Sequence, residues 1–323
     1  MEDRLLALDR FAQRSFLGGL VRSRRRLADP GSVVDSLAFE TRKAWADHLG
    51  ISAEDLLLCA GASDAVSLLC RAVLAPNDVA VVAEPTPVQV PAAVLSAGAR
   101  YVDVGRRQDG TIDTEAAARA AHEHDDAIAW AGGLIGGDDV AALADAAQWR
   151  CLFADASAAI ALGGDVRALG QGAHAVVIAL SDPDADATPV LHAVATCPGL
   201  GGGLQAVLGP AVLPLPIYER ALVTIERLEA EPEASARFAQ QLADIAERIR
   251  AKTPQLPGIV DLGRTGRTLA FACLASNAEE VAQAWQQAGF RATAYGGHPM
   301  RDLVVFDLAA IASAIDSTQF LTR

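Results

Sequence analysis

Apolar residues along this chain recur in two alternating periods. From Val33 to His48 they fall at helical spacing, with Val34, Leu37, Ala38, Ala44, Trp45 and Leu49 on one face and Gly50 as the stop. The run LLLCAG (56 to 61) is instead a compact apolar strand that opens into small residues and then a helical stretch from Ala65 to Leu74. The alternation continues with the strand VAVVA (79 to 83), a helix from Val88 to Ala97 closed by Gly98, and the strand ARYVDV (99 to 104). A helix from Thr114 to His122, the strand AIAWAG (127 to 132), a helix from Val140 to Ala147, and the strands RCLFADA (150 to 156) and HAVVIALS (174 to 181) follow. Strand runs apolar on both sides, separated by helices, predict an α/β fold with a mostly parallel sheet flanked by helices.

The Pro-rich segment 210 to 216 interrupts this pattern. Beyond it a long charged helical stretch, Ala221 to Lys252, leads into strand-like runs at 259 to 262, 269 to 274, 291 to 294 and 303 to 307 and a helix from Ala278 to Ala288. The expected organisation is an N-terminal helical arm (1 to 32), a large α/β domain (33 to 215) and a smaller α+β domain (216 to 323).

Composition narrows the function classes. A chain of 323 residues with 51% hydrophobic content can bury a large core without covalent staples. The net charge of -13 opposes a polyanionic partner, so nucleic acid is not expected, and the basic run Arg22 to Arg26 reads as a solvated helix face. The five cysteines show no CxxC spacing, which fits a reducing compartment. No stretch approaches the roughly 18 uninterrupted apolar residues of a membrane span, and the charged N-terminal residues lack the apolar core of a signal peptide. A cytoplasmic location is the expectation.

The longest distinctive string is LLLCAGASDAVSLLCRAVLAPNDVAVVAEPTPVQVPAAVLSAGARYVDV (56 to 104), joined to CLFADASAAI around Asp155. In order and spacing it resembles the aspartate-aminotransferase superfamily, the fold-type I pyridoxal phosphate (PLP) enzymes, most of all the histidinol-phosphate aminotransferase and threonine-phosphate decarboxylase branch. The resemblance covers about residues 30 to 310. It implies that Gly61, Ala62 and Ser63, between a strand and a helix start, form the cup for the cofactor phosphate. Ser63 as a plain helix cap is the alternative use. Asp155 would pair with the pyridinium nitrogen, and Arg301, before a C-terminal strand, would hold a substrate carboxylate unless it pairs locally with Asp302. A homodimer is implied as well.

Several departures strike the same cavity. Ala156, Ser157 and Ala158 stand where the family follows its Asp with Glu, Ala and Tyr; AGGLIGGDD (131 to 139) contains no Asn; and Pro87 or Val88 replaces an aromatic in EPTPVQV. The largest departure is the Schiff-base lysine. The chain has two lysines, Lys43 and Lys252, and none between them. One register places Asp182, 27 positions after Asp155, where the family has its lysine; another, keyed on the glycine-rich segment, places Cys197 there. Neither side chain is an amine. The arginine that assists the phosphate is missing too, with Gln205 the nearest polar residue.

Three readings follow. The first is a degenerate aminotransferase-like protein without covalent PLP chemistry, acting as a binding, scaffolding or partner subunit, with non-covalent PLP or another phosphorylated ligand as its small molecule. The second is a PLP-independent enzyme that reuses the cavity on an amino-acid-like or phosphorylated substrate, with Asp155, Asp182, Cys197 or His192 as acid, base or nucleophile. The third is an active aminotransferase or decarboxylase whose lysine comes from Lys43 or Lys252. A metal is not expected: His122 and His124 in HEHDD sit two apart on a helix, and the acidic segment 181 to 188 lacks the glycine and closing Glu of a calcium loop.

Overall fold

The computed structural model describes residues 30–83, 86, 87, 89–105, 107, 111–131, 138–157, 172–181, 189–208, 213–252, 259–265, 268–273, 278–287, 290, 292–295, 302–308 and 311. The expected arm at the N-terminus lies outside them.

The first helix, α1 (Pro30–Leu49), closes at Gly50 and leads through a 3-10 turn, Ala53–Asp55, into β1 (Leu56–Cys59). Then come α2 (Ala62–Val73), β2 (Val79–Ala83), α3 (Gln89–Ser96), β3 (Arg100–Val104), α4 (Thr114–Glu123), β4 (Ile128–Ala131), α5 (Asp138–Ala146), β5 (Leu152–Asp155), β6 (Ala175–Ser181) and β7 (Pro189–Thr196). These seven strands make one sheet in the order β1-β7-β6-β5-β4-β2-β3. The pairs β2–β3, β2–β4, β4–β5 and β5–β6 are parallel, and β7 runs antiparallel to both β6 and β1. The mostly parallel sheet read from the sequence is therefore present, with β7 as the one reversed strand.

Helices cover both faces, which is why most of these strands are apolar throughout. On one face, Leu37 and Trp45 of α1 and Ala117 and Leu143 of α4 and α5 pack against Leu56, Val81, Ala129, Ala154 and Ile178. On the other, Ala65, Val66 and Leu69 of α2 and Val90 and Val94 of α3 pack against Leu57, Cys59, Val82, Trp130, Phe153, Val177 and Val194. Trp130 and Phe153 meet edge to face at 5.5 Å in the middle of this second layer. Gly98, at φ +77, ends α3 in the left-handed region that favours glycine.

Downstream, α6 (Leu200–Leu208) follows β7, and α7 (Leu215–Ala230) and α8 (Pro232–Lys252) follow in turn. The single long helix expected between 221 and 252 is two, because Pro232 has no N–H to continue α7 and starts α8 instead. Tyr218, Ala221 and Ile225 of α7 join the core of the large sheet, whereas Leu242, Ile245 and Ile249 of α8 join that of a second sheet. This smaller sheet holds β8 (Ile259–Thr265), β9 (Thr268–Cys273), β10 (Ala292–Tyr295) and β11 (Asp302–Asp307) in the order β10-β11-β9-β8, all antiparallel, with α9 (Ala278–Gln287) packed on it. The two cores divide at the α7–α8 junction. Among the described residues no helix is long and apolar enough to cross a membrane.

Candidate functional site

The parallel strands β1, β2, β4, β5 and β6 all end at one edge of the large sheet, the place where open α/β sheets bind ligands. Three features meet there. The first is the start of α2. Gly61 is its N-cap in extended conformation, and the Ala65 amide donates to the Gly61 carbonyl as the first helical bond. Asp64 reaches back so that its Oδ2 accepts the Ala60 amide at 3.0 Å. The amides of Ala62 and Ser63 at this positive helix end donate to no described residue, and a Cβ on Gly61 would meet no described atom within 4 Å. Ser63 is not the cap: it stands one position inside the helix and is exposed.

The second feature is Asp155, the last residue of β5, buried among apolar neighbours. Its Oδ1 accepts the Ser157 amide at 3.0 Å. Burial pushes the carboxyl above its ordinary range, and hydrogen bonds from Ser157 pull it partly back. No described cation contributes, so the charged form of this acid lacks a counter-ion among the described residues.

The third is Ser181, the end of β6, which sequence reasoning passed over. Its Oγ is buried without a hydrogen-bond partner among the described residues. Strand alternation puts Ser181 on the face of Val177, which is also the face of Asp155 and of α2. A buried hydroxyl of this kind costs stability until something bonds to it. The signal in the sequence was a lone polar residue ending the apolar run AVVIAL.

The other candidates fall as follows. His192 lies in β7, paired with Cys59 of β1 and Ala179 of β6, so it is on the α2 face, half-buried, below the helix start. Cys197 is elsewhere. Because β7 runs backwards, it delivers Cys197 to the opposite edge of the sheet, where its amide donates to the His174 carbonyl before β6 begins. Five residues of extended chain, about 16 Å, separate His192 from Cys197, which rules out a base and nucleophile pair between them. Gln205 is also at that far edge, bridging Arg42 (2.9 Å) and the Glu54 carbonyl (3.1 Å), and is no substitute for a phosphate arginine. Asp182 and Arg301 lie outside the described residues. Lys43 is exposed on α1, and Lys252 ends α8. His122 is exposed, and the described residues contain no group of three metal-ligating side chains.

No protein-family model matches the sequence, and no curated protein matches it. Solved structures do. Histidinol-phosphate aminotransferase from Sinorhizobium meliloti, in complex with pyridoxal 5'-phosphate, superposes with a TM-score of 0.67 at 16% identity, over 97% of this chain and 86% of that one. A double mutant of aspartate aminotransferase from Thermus thermophilus gives 0.65 at 17%, over 86% and 79%. An aminotransferase from Streptoalloteichus hindustanus gives 0.60 at 16%, over 87% and 90%. At such identities the likeness establishes the fold: that of the fold-type I PLP transferases.

Proposed function

We propose that this chain, built on the aminotransferase fold, is a degenerate member of that group which performs no covalent PLP chemistry and serves as a binding, scaffolding or partner subunit, as a homodimer, in amino-acid-related or specialised metabolism. The observation that carries the reading is the lysine inventory. Only Lys43 and Lys252 exist in the chain. The first is exposed on α1, a helix that covers the face of the sheet opposite Asp155. The second ends α8, which packs on the small sheet. Of the two registers for the missing lysine, the direction of β7 argues against Cys197, which it carries to the edge far from Asp155, and leaves Asp182, the next residue in sequence after Ser181.

PLP has a phosphate, a ring nitrogen and an aldehyde, and the residues suit the first two. The orphaned Ser181 hydroxyl and the free amides of α2 suit a phosphate, and the buried Asp155 carboxyl suits a protonated ring nitrogen. Bound there, the pyridine ring would supply an electron sink. The described side chains of this edge bind and orient; none of them offers an amine. A second reading, a PLP-independent enzyme in the same cavity, draws support from Asp155, whose raised proton affinity suits a general acid.

Titration with PLP followed by dialysis tests the proposal. Reversible binding, with full loss of ligand absorbance on dialysis, is the expected result. A visible band that survives dialysis would show covalent capture and defeat it.

A further inference from the structure

Asp155 is an acid held where an anion is costly. It ends β5, two residues beyond the fully buried Phe153 and paired with the fully buried Val177, and only 7% of it is exposed. A carboxylate taken out of water persists only where hydrogen-bond donors or a cation replace that water. Ser157 supplies the donors. Its amide donates to Asp155 Oδ1 at 3.0 Å, and its hydroxyl makes a second hydrogen bond to the same carboxyl. Burial disfavours the anion most strongly; against it both bonds favour the ionised form, the hydroxyl more than the amide. Any residue at 157 would bring the amide. The hydroxyl is particular to serine, and the aminotransferase pattern that this segment resembles has alanine there.

We infer that Ser157 is a positioning residue of this site: its hydroxyl holds the Asp155 carboxylate, and so gives the site a preference for a ligand with a protonatable ring nitrogen over the same ring with carbon in that place. This role rests on the proposed pairing of Asp155 with a ring nitrogen and adds the residue through which that pairing is set. Ser157 acts through Asp155 and need not touch the ligand.

The surrounding elements offer no substitute. From β4 comes Trp130, whose indole N–H is buried and bonds to no described residue. From β6 comes Val177, opposite Asp155, with Ser181 four residues further on. The charges of α2 are engaged elsewhere: Asp64 accepts the Ala60 amide, and Arg71 donates to the Ser67 carbonyl. His192 of β7 is two strands away. Among the described residues Ser157 is therefore the only donor to Asp155. A ring nitrogen that carries a proton needs the ionised carboxyl as its partner, whereas a ring carbon has no use for it.

The test is calorimetric titration of the full chain at pH 7 with pyridoxine 5'-phosphate, which has the ring and phosphate but no aldehyde, and with its carbocyclic analogue, in which C–H replaces the ring nitrogen. Wild-type protein is expected to bind the pyridine at least about tenfold more tightly than the analogue. Ser157→Ala should weaken the pyridine about tenfold and the analogue little, so that the ratio falls toward one. Ser157→Thr, which keeps the hydroxyl, should restore the ratio. A ratio unchanged in Ser157→Ala, or both ligands weakened alike, would overturn the inference, since a purely structural serine acts on both. Should Ser157→Ala fail to fold, Ser157→Cys, whose thiol is a weaker donor, decides by the same ratio. Equal binding of the two ligands by wild type would refute the role of Ser157 and leave non-covalent binding standing. Wild type that binds neither would overturn this role together with the phosphate-and-ring reading of the edge. Covalent capture of PLP would defeat the proposed function yet leave the ratio standing, so the two failures are distinguishable.

Discussion

Asp155 and Ser181 project from neighbouring parallel strands onto one face of the sheet, and they are offset along it. Asp155 pairs with Val177, so Ser181 stands four residues further on, about 13 Å. A molecule with a weakly basic nitrogen at one end and a hydrogen-bond-accepting anion at the other satisfies both. A phosphorylated heteroaromatic ring has that shape.

The register of the lost lysine can be read out by restoring it. Asp182→Lys puts an amine one residue in sequence after Ser181, the last residue of β6, and Cys197→Lys puts one at the far edge. With PLP, the first variant should turn yellow and hold the colour through dialysis, and the second should stay colourless. Colour in the Cys197→Lys protein alone would reverse the assignment.

Asp155 should weaken the ligand-free protein at neutral pH. Its folded carboxyl holds a proton more tightly than the unfolded one, because burial disfavours the anion. Stability is therefore fullest below the unfolded carboxylate range, about pH 4, and declines as pH rises through the raised folded value. Asp155→Asn removes this loss, so its melting temperature should exceed wild type by a few degrees at pH 7 to 8, with the gap closing toward pH 4. A variant less stable than wild type at pH 8 would mean that a cation meets the carboxylate.

Two adjacent glycines in α6 should behave oppositely. A Cβ on Gly201 would collide with the Glu54 carbonyl oxygen and lie 2.7 Å from the Asp55 Cα, in the 3-10 turn whose Asp55 carboxylate accepts the Gly199 amide at 3.1 Å. Gly201→Ala should cost about 2 kcal/mol or more. Gly202 faces open space, and Gly202→Ala should add about 0.5 to 1 kcal/mol through helix propensity. Urea unfolding of the pair measures both, and equal effects would show that α6 does not press on the turn.

Cys59 and Cys70 are buried, and burial pushes both thiols up to about 12. A thiol reagent at pH 8 should modify them only after unfolding. Rapid modification of either in native protein would show that α2 lifts readily from the sheet.

Much of the large domain was legible because its strands are apolar on both faces and its helices are punctuated by Gly50 and Gly98. VAVVA was read at its observed bounds, 79 to 83. The failures cluster after Ser181. β7 was missed since Pro189 and the acidic residues before it suggest loop, and its membership of the sheet is set by tertiary pairing with β1 and β6. The glycine-rich segment was given no element, yet glycines 201 to 203 lie in α6, where Gly201 is selected by close approach to the 3-10 turn. Missing β7 also left open whether Cys197 belonged to the site, because only the strand's reversed direction sends it to the far edge. Asp155 could be found from its place after an apolar run; Ser181 could not, since a single serine gains meaning only when its burial and lack of a partner are seen.

The most direct measurement is borohydride reduction of the wild-type protein with PLP, followed by intact mass and peptide mapping. No stoichiometric addition of one pyridoxyl phosphate group is expected; any trace should be on the exposed Lys43 or the N-terminal amine and persist with excess sulfate. One equivalent on Lys43 or Lys252, suppressed by sulfate, would contradict the loss of covalent chemistry.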